Sequence, residues 1–162
     1  MASFRYLTDI HLDFGVVGLL AAECTRAGIS RPLIVTDAGV RAAGVLAQAQ
    51  AGLGSLPHAV FDGTPSNPTE AAVRAAVELL RAQRCDGLVA VGGGSSIDLA
   101  KGVAIAARHD GPLRHYATIE GGSPRITADA LPLIAVPTTA GTGSEVARGA
   151  ILIVDDGRKL GF

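Results

Sequence analysis

Short unbroken runs of apolar residues alternate along this chain with longer stretches in which apolar positions recur every three or four residues. A short continuous run predicts a strand covered on both faces, and the wider spacing predicts a helix with one buried stripe. Residues 15–28 carry Val17, Leu20, Ala21 and Cys24 at helical spacing. Pro32-Leu33-Ile34-Val35-Thr36 then reads as a strand, residues 38–51 as a helix, and Ala59-Val60-Phe61 as a second strand. The next helix carries its own start signal: Asn67 as cap, Pro68 at the first helical position and Glu70 completing a capping-box-like pattern. Its apolar face is Val73, Ala76, Val77 and Leu80. Residues 87–91 read as a central strand and 95–108 as the helix after it. The Pro- and Gly-punctuated stretch 111–129 reads as loop with a helical turn at 113–116, followed by a buried strand at 133–136. Last, 146–154 and 158–162 flank Asp155-Asp156-Gly157, a hairpin-turn sequence.

Strands alternating with helices predict an α/β fold: a Rossmann-like, mostly parallel sheet with flanking helices, closed by a C-terminal β-hairpin, in one domain over residues 1–162. The hairpin's return strand has barely begun at Phe162, so a chain cut within a longer domain is expected. With 48% hydrophobic but only 4% aromatic residues, the core is expected to be aliphatic and alanine-rich. A formal charge of −1 gives no basic footprint for nucleic acid. Cys24 and Cys85 form no CxxC pair and read as reduced thiols. Met1-Ala2-Ser3-Phe4-Arg5 begins no leader-like apolar run, and nothing approaches the roughly 18 apolar residues of a membrane span. A cytoplasmic protein without membrane partners is expected.

The chemistry concentrates at two glycine-bearing junctions. Gly92-Gly93-Gly94-Ser95-Ser96 lies between a strand and a helix, where missing Cβ atoms admit a ligand to the backbone and the helix start offers free N–H groups to a phosphate. The alternative is a structural turn with Ser95 as helix cap, Asp98 as its partner and Lys101 as a surface residue beside Asp98. Neither GxGxxG nor the Walker pattern is present. After the next core strand comes Pro137-Thr138-Thr139-Ala140-Gly141-Thr142-Gly143-Ser144-Glu145, whose hydroxyls and amides suit the ribose and nicotinamide side of a dinucleotide. Two such loops on two core strands together favour nucleotide binding.

GGGSSIDLAK at 92–101 and PLIAVPTTAGTGSEVAR at 132–148 closely resemble motifs of the iron-containing (group III) alcohol dehydrogenases. Thr36-Asp37, Ser66-Asn67-Pro68-Thr69 and Gly157-Arg158-Lys159-Leu160-Gly161 fall where that family has similar segments. The resemblance implies an N-terminal domain binding NAD or NADP. It also implies a helical C-terminal domain whose Asp and three His bind Fe2+ or Zn2+, and that domain has no counterpart in this sequence. Carried over by position, Gly93, Gly94 and Ser95 would contact the diphosphate, and Asp98 would lie near the nicotinamide. Thr138, Thr139 and Thr142 would line the adenine and ribose region, with Asn67, Ile151 and Lys159 completing the cleft. Asp37 resembles the family's acidic selector at the adenosine ribose, which favours NAD over NADP. Each has a plainer reading: Asp37 or Asn67 as a helix cap, Lys159 as a hairpin lysine. The resemblance further implies hydride transfer between NAD(P) and a small alcohol or aldehyde, with the metal polarising the substrate oxygen, in a homo-oligomer. This chain alone, with no candidate general acid and no metal ligands among His11, His58, His109 and His115, is expected to bind cofactor without turnover. A nucleotide-binding module without catalysis and a maleylacetate reductase-like enzyme are the alternatives.

Overall fold

Alternation within the apolar runs decides the architecture, because successive strand residues point to opposite faces. The computed structural model describes residues 8–162; the N-terminal segment 1–7, on which the expectation of no leader rests, lies outside them. A 3-10 turn (Val16–Leu19) runs into α1 (Leu20–Arg26), then β1 (Pro32–Val35), α2 (Ala38–Ala42), α3 (Val45–Leu53) and β2 (Ala59–Phe61). Next come α4 (Glu70–Ala82), β3 (Gly87–Gly92) and α5 (Gly94–Ala106). Three short 3-10 turns (Leu113–Tyr116, Thr118–Glu120, Ser123–Arg125) lead to β4 (Leu133–Pro137) and the pair β5 (Ile151–Ile153) and β6 (Lys159–Gly161).

The four larger strands form a parallel sheet in the order β2-β1-β3-β4, and β5 and β6 pair antiparallel beside it. Leu33, Val35, Leu88 and Ala90 face one core with α4 and α5, whereas Ile34, Val89 and Val91 face a second core with α1 and α3. A sheet covered on both faces explains why its strands read as unbroken apolar runs. The hairpin joins the α4–α5 side: Leu152 and Leu160 are buried there. It comes close because Gly102 of α5 has no side chain; a Cβ there would lie 2.7 Å from Leu152 and 2.9 Å from Val73.

Four expectations change. The helix expected over 38–51 breaks at Gly44, whose left-handed backbone (φ 77°) starts α3 along a new axis, so that Leu46, Ala49 and Leu53 reach the sheet. Asn67 does not cap α4; Thr69 does, accepting from the Ala72 amide at 3.2 Å. The reason is tertiary: the Pro68 carbonyl accepts from the Ile153 amide (2.9 Å), which holds Pro68 extended beside the hairpin and delays the helix. The loop at 111–129 contains three turns of 3-10 helix rather than one. The hairpin's first strand begins at Ile151, not near 146, because the chain at 143–147 is wound into a turn closed from the Ala147 amide to the Gly143 carbonyl (2.8 Å).

Candidate functional site

The C-terminal ends of β1, β3 and β4 lie side by side, and each runs into a polar loop. In an open parallel sheet this edge is where ligands bind. At its centre Gly92 adopts φ 156°, and a Cβ there would sit 2.5 Å from the Ser96 hydroxyl and 2.7 Å from its Cβ, so only glycine fits. Gly93 then takes the N-cap position of α5. Ser95 therefore does not cap α5, contrary to the plainer reading; its hydroxyl donates to the Ser66 carbonyl at 2.6 Å. No side chain caps this helix at all. Its first amides, which have no intrahelical partner, face the edge with the positive end of a thirteen-residue helix behind them.

The second loop closes over this turn. A Cβ on Gly94 would lie 3.0 Å from the Ser144 hydroxyl and 3.3 Å from Thr142, and one on Gly93 would lie 3.3 Å from the Thr139 hydroxyl. The Thr138 amide donates to the Gly92 carbonyl (2.9 Å), which ties the two loops at their base. Thr138 also borders a cleft of about 330 Å³ on the opposite side of the sheet end, lined by Val17, Val45, Ala49, Val91 and Val136.

Asp37 has the plainer of its two readings, a helix cap, and also reaches the glycine turn. One carboxylate oxygen caps α2, accepting from the Val40 amide at 2.9 Å. The other accepts from the Ser96 hydroxyl (3.3 Å), which places the charge beside the glycine turn. Asp98 is not a partner of a Ser95 cap; it accepts from the Ile151 amide (3.1 Å) and so fixes the hairpin to α5. Lys159 donates to the Asn67 side-chain oxygen (3.3 Å), bringing those two predicted residues together at the edge of the same region. Ile151 is 45% exposed at its rim.

Two side chains have partners that the sequence reading did not give them. Lys101 lies 3.7 Å from Asp98, as a helical i,i+3 pair should, but its ammonium group donates to the carbonyls of Ser144 (2.6 Å), Ala147 (2.8 Å) and Gly149 (2.7 Å). Burial holds this lysine below its ordinary pKa, against the opposing pull of Asp98 and Glu145. The one available signal was its position in Leu99-Ala100-Lys101-Gly102-Val103, an otherwise buried stretch. Glu70, only 6% exposed, accepts from the amides of Leu113 and Asp155, both at 3.1 Å, and is not a capping-box residue.

Among the described residues, no group of three His, Cys, Asp or Glu side chains is placed to hold a metal ion, so the residues present do not fit the iron or zinc of the resemblance. Among them, too, no helix is long and apolar enough to cross a membrane.

These features define a doubly wound parallel α/β domain with a glycine turn opening onto an uncapped helix. The sequence profile of the iron-containing alcohol dehydrogenases matches residues 8–162, and the chain belongs to that family. It is 70% identical over 162 residues to 4-hydroxybutyrate dehydrogenase of Cupriavidus necator, covering 100% of this chain and 42% of that protein. Sulfoacetaldehyde reductase from Bifidobacterium kashiwanohense, solved in complex with NAD+, superposes with a TM-score of 0.86 at 27% identity, over 100% of this chain and 43% of that one. The NADH-dependent butanol dehydrogenase A of Thermotoga maritima gives a TM-score of 0.86 at 28% identity, over 99% and 40% respectively. The chain thus spans less than half the length of these relatives.

Proposed function

We propose that this chain binds NAD(H) along the C-terminal edge of its sheet and serves as the cofactor-binding part of an alcohol dehydrogenase acting on a small primary alcohol. The observation that carries the reading is the uncapped start of α5 under the glycine turn, with the hydroxyls of Ser144 and Thr139 3.0 and 3.3 Å from where the Cβ atoms of Gly94 and Gly93 would be. The diphosphate accepts from the first amides of α5, at Gly94 and Ser95. Adenine fills the apolar cleft beside Thr138, and the second loop lines the ribose. Asn67, Asp98, Ile151 and Lys159 bound the nicotinamide end. NAD, when bound, supplies the hydride acceptor; the chain's own residues bind it, orient it and keep water from its diphosphate.

Asp37 selects NAD in this reading. Its carboxylate, held between the Val40 amide and the Ser96 hydroxyl, accepts from a free 2′-hydroxyl and repels a 2′-phosphate. The similarity to 4-hydroxybutyrate dehydrogenase supports an ω-hydroxy acid as substrate, and the whole enzyme is expected to form a homo-oligomer. A fluorescence titration of NADH and NADPH tests the reading directly. Wild-type chain is expected to bind NADH in a saturable manner and more tightly than NADPH. Asp37→Ser keeps a capping hydroxyl while removing the charge, and is expected to narrow that preference by about tenfold. No saturable NADH binding by the folded chain sinks the proposal. Appending the remaining length of the Cupriavidus necator relative, with divalent iron, is expected to yield NADH from 4-hydroxybutyrate. Binding without any such turnover leaves a nucleotide-binding module.

A further inference from the structure

The second loop has no regular structure of its own, and much of it is exposed between Pro137 and Gly149. Such a loop samples many conformations unless something outside it fixes the backbone. Lys101 is placed to do so. From the second turn of α5 it donates to three carbonyls spread over residues 144–149, each within 2.8 Å. An ammonium has three protons in a compact geometry, and here each finds one carbonyl. Charge-assisted bonds of this kind are the strong ones, more so where the side chain is only 13% exposed. Asp98 lies beside the ammonium and fixes the start of the hairpin through the Ile151 amide, so one turn of α5 anchors both segments that follow β4.

We propose that Lys101 is a positioning residue for the cofactor: it touches no ligand itself, but holds the Thr142–Ser144 stretch against the glycine turn in the conformation that NAD(H) requires. This rests on the function proposed above. Ordering that loop in advance removes an entropic cost that binding would otherwise meet. The residue whose hydroxyl comes 3.0 Å from a Cβ added at Gly94, Ser144, is also one whose carbonyl Lys101 grips.

The test compares wild type, Lys101→Met and Lys101→Arg in two measurements. The first is hydrogen exchange of backbone amides in the cofactor-free chain, which does not depend on any ligand. The Val146 and Ala147 amides, bonded within the loop, are expected to exchange about tenfold faster in Lys101→Met. Amides of β1 and β3 are expected to keep their wild-type rates. The second is NADH titration, where Lys101→Met is expected to bind about tenfold more weakly, equivalent to about 1.4 kcal/mol, and Lys101→Arg to recover part of that loss. Unchanged loop exchange in Lys101→Met overturns the proposal, as does faster exchange with unchanged NADH affinity. If wild type itself fails to bind NADH while Lys101→Met still loosens the loop, the proposed function falls and takes the cofactor role of Lys101 with it, although the clamp is real. Faster exchange in β1 and β3 as well as in the loop marks general destabilisation and also overturns the proposal.

Discussion

The two loops that meet at the sheet's edge are shaped by opposite means. The glycine turn is dictated from beneath: Gly92 lies directly on Ser96, and its backbone follows the only path that leaves room for that side chain. The loop from Thr138 to Gly149 is held from outside, by its bond to the Gly92 carbonyl at one end and by Lys101 along the rest. A turn of three residues can be specified by what its side chains lack. A loop four times as long needs an anchor, and that anchor sits on a helix some forty residues earlier in the chain. Damage to the first loop should therefore appear as lost stability, and damage to the second mainly as lost affinity.

Three substitutions probe that contrast, from the most to the least severe. Gly92→Ala forces a methyl group against Ser96 in a backbone region hostile to L-residues, and is expected to cost on the order of 3 kcal/mol and abolish NADH binding. Urea unfolding together with NADH titration checks it; near-wild-type stability means the turn is not sterically dictated. Glu70→Gln leaves one acceptor oxygen where two amides, one buried and one part-buried, need partners, and is expected to cost about 2 kcal/mol in thermal or urea unfolding. Because Glu70 secures Asp155 in the hairpin and not the second loop, NADH affinity should fall less than in Lys101→Met. The reverse order means that the hairpin, and not the lysine, governs the cleft. Thr69→Ala removes the cap of α4 and is expected to cost about 1 kcal/mol while leaving NADH affinity within about twofold. A larger loss of affinity there assigns the 66–69 segment a closer part in binding than its contacts suggest.

What the sequence made legible follows from how local each cause is. The strands at 32–35 and 87–92 were readable because burial on both faces leaves an unbroken apolar run; the strand at 133–137 carries the same apolar run but lies half-buried at the sheet's edge, not buried as its sequence suggests. The glycine turn was readable because three adjacent glycines before a helix have few other uses. Gly44 was missed because a single glycine inside a run of Ala and Val does not disturb the helical spacing, although it ends one helix and begins another. The cap of α4 was misplaced by two residues because Asn67-Pro68 is a good local start, and only the hairpin's grip on Pro68 overrules it. Lys101 and Glu70 were legible as helix residues with neighbours three or four positions away. Their decisive partners lie at separations of 43 residues and more, which no local pattern encodes.

The strand order β2-β1-β3-β4 also sets a schedule for folding. β1 pairs with β3 only after β2 and α4 have been made and crossed, and β4 must then find β3. The last bond of the Lys101 clamp, to Gly149, closes 48 residues of chain. Contacts so distant in sequence form late and slow the search. During synthesis the glycine turn can take shape as soon as α5 is complete, whereas the loop opposite it has nothing to close on until Gly149 has left the ribosome.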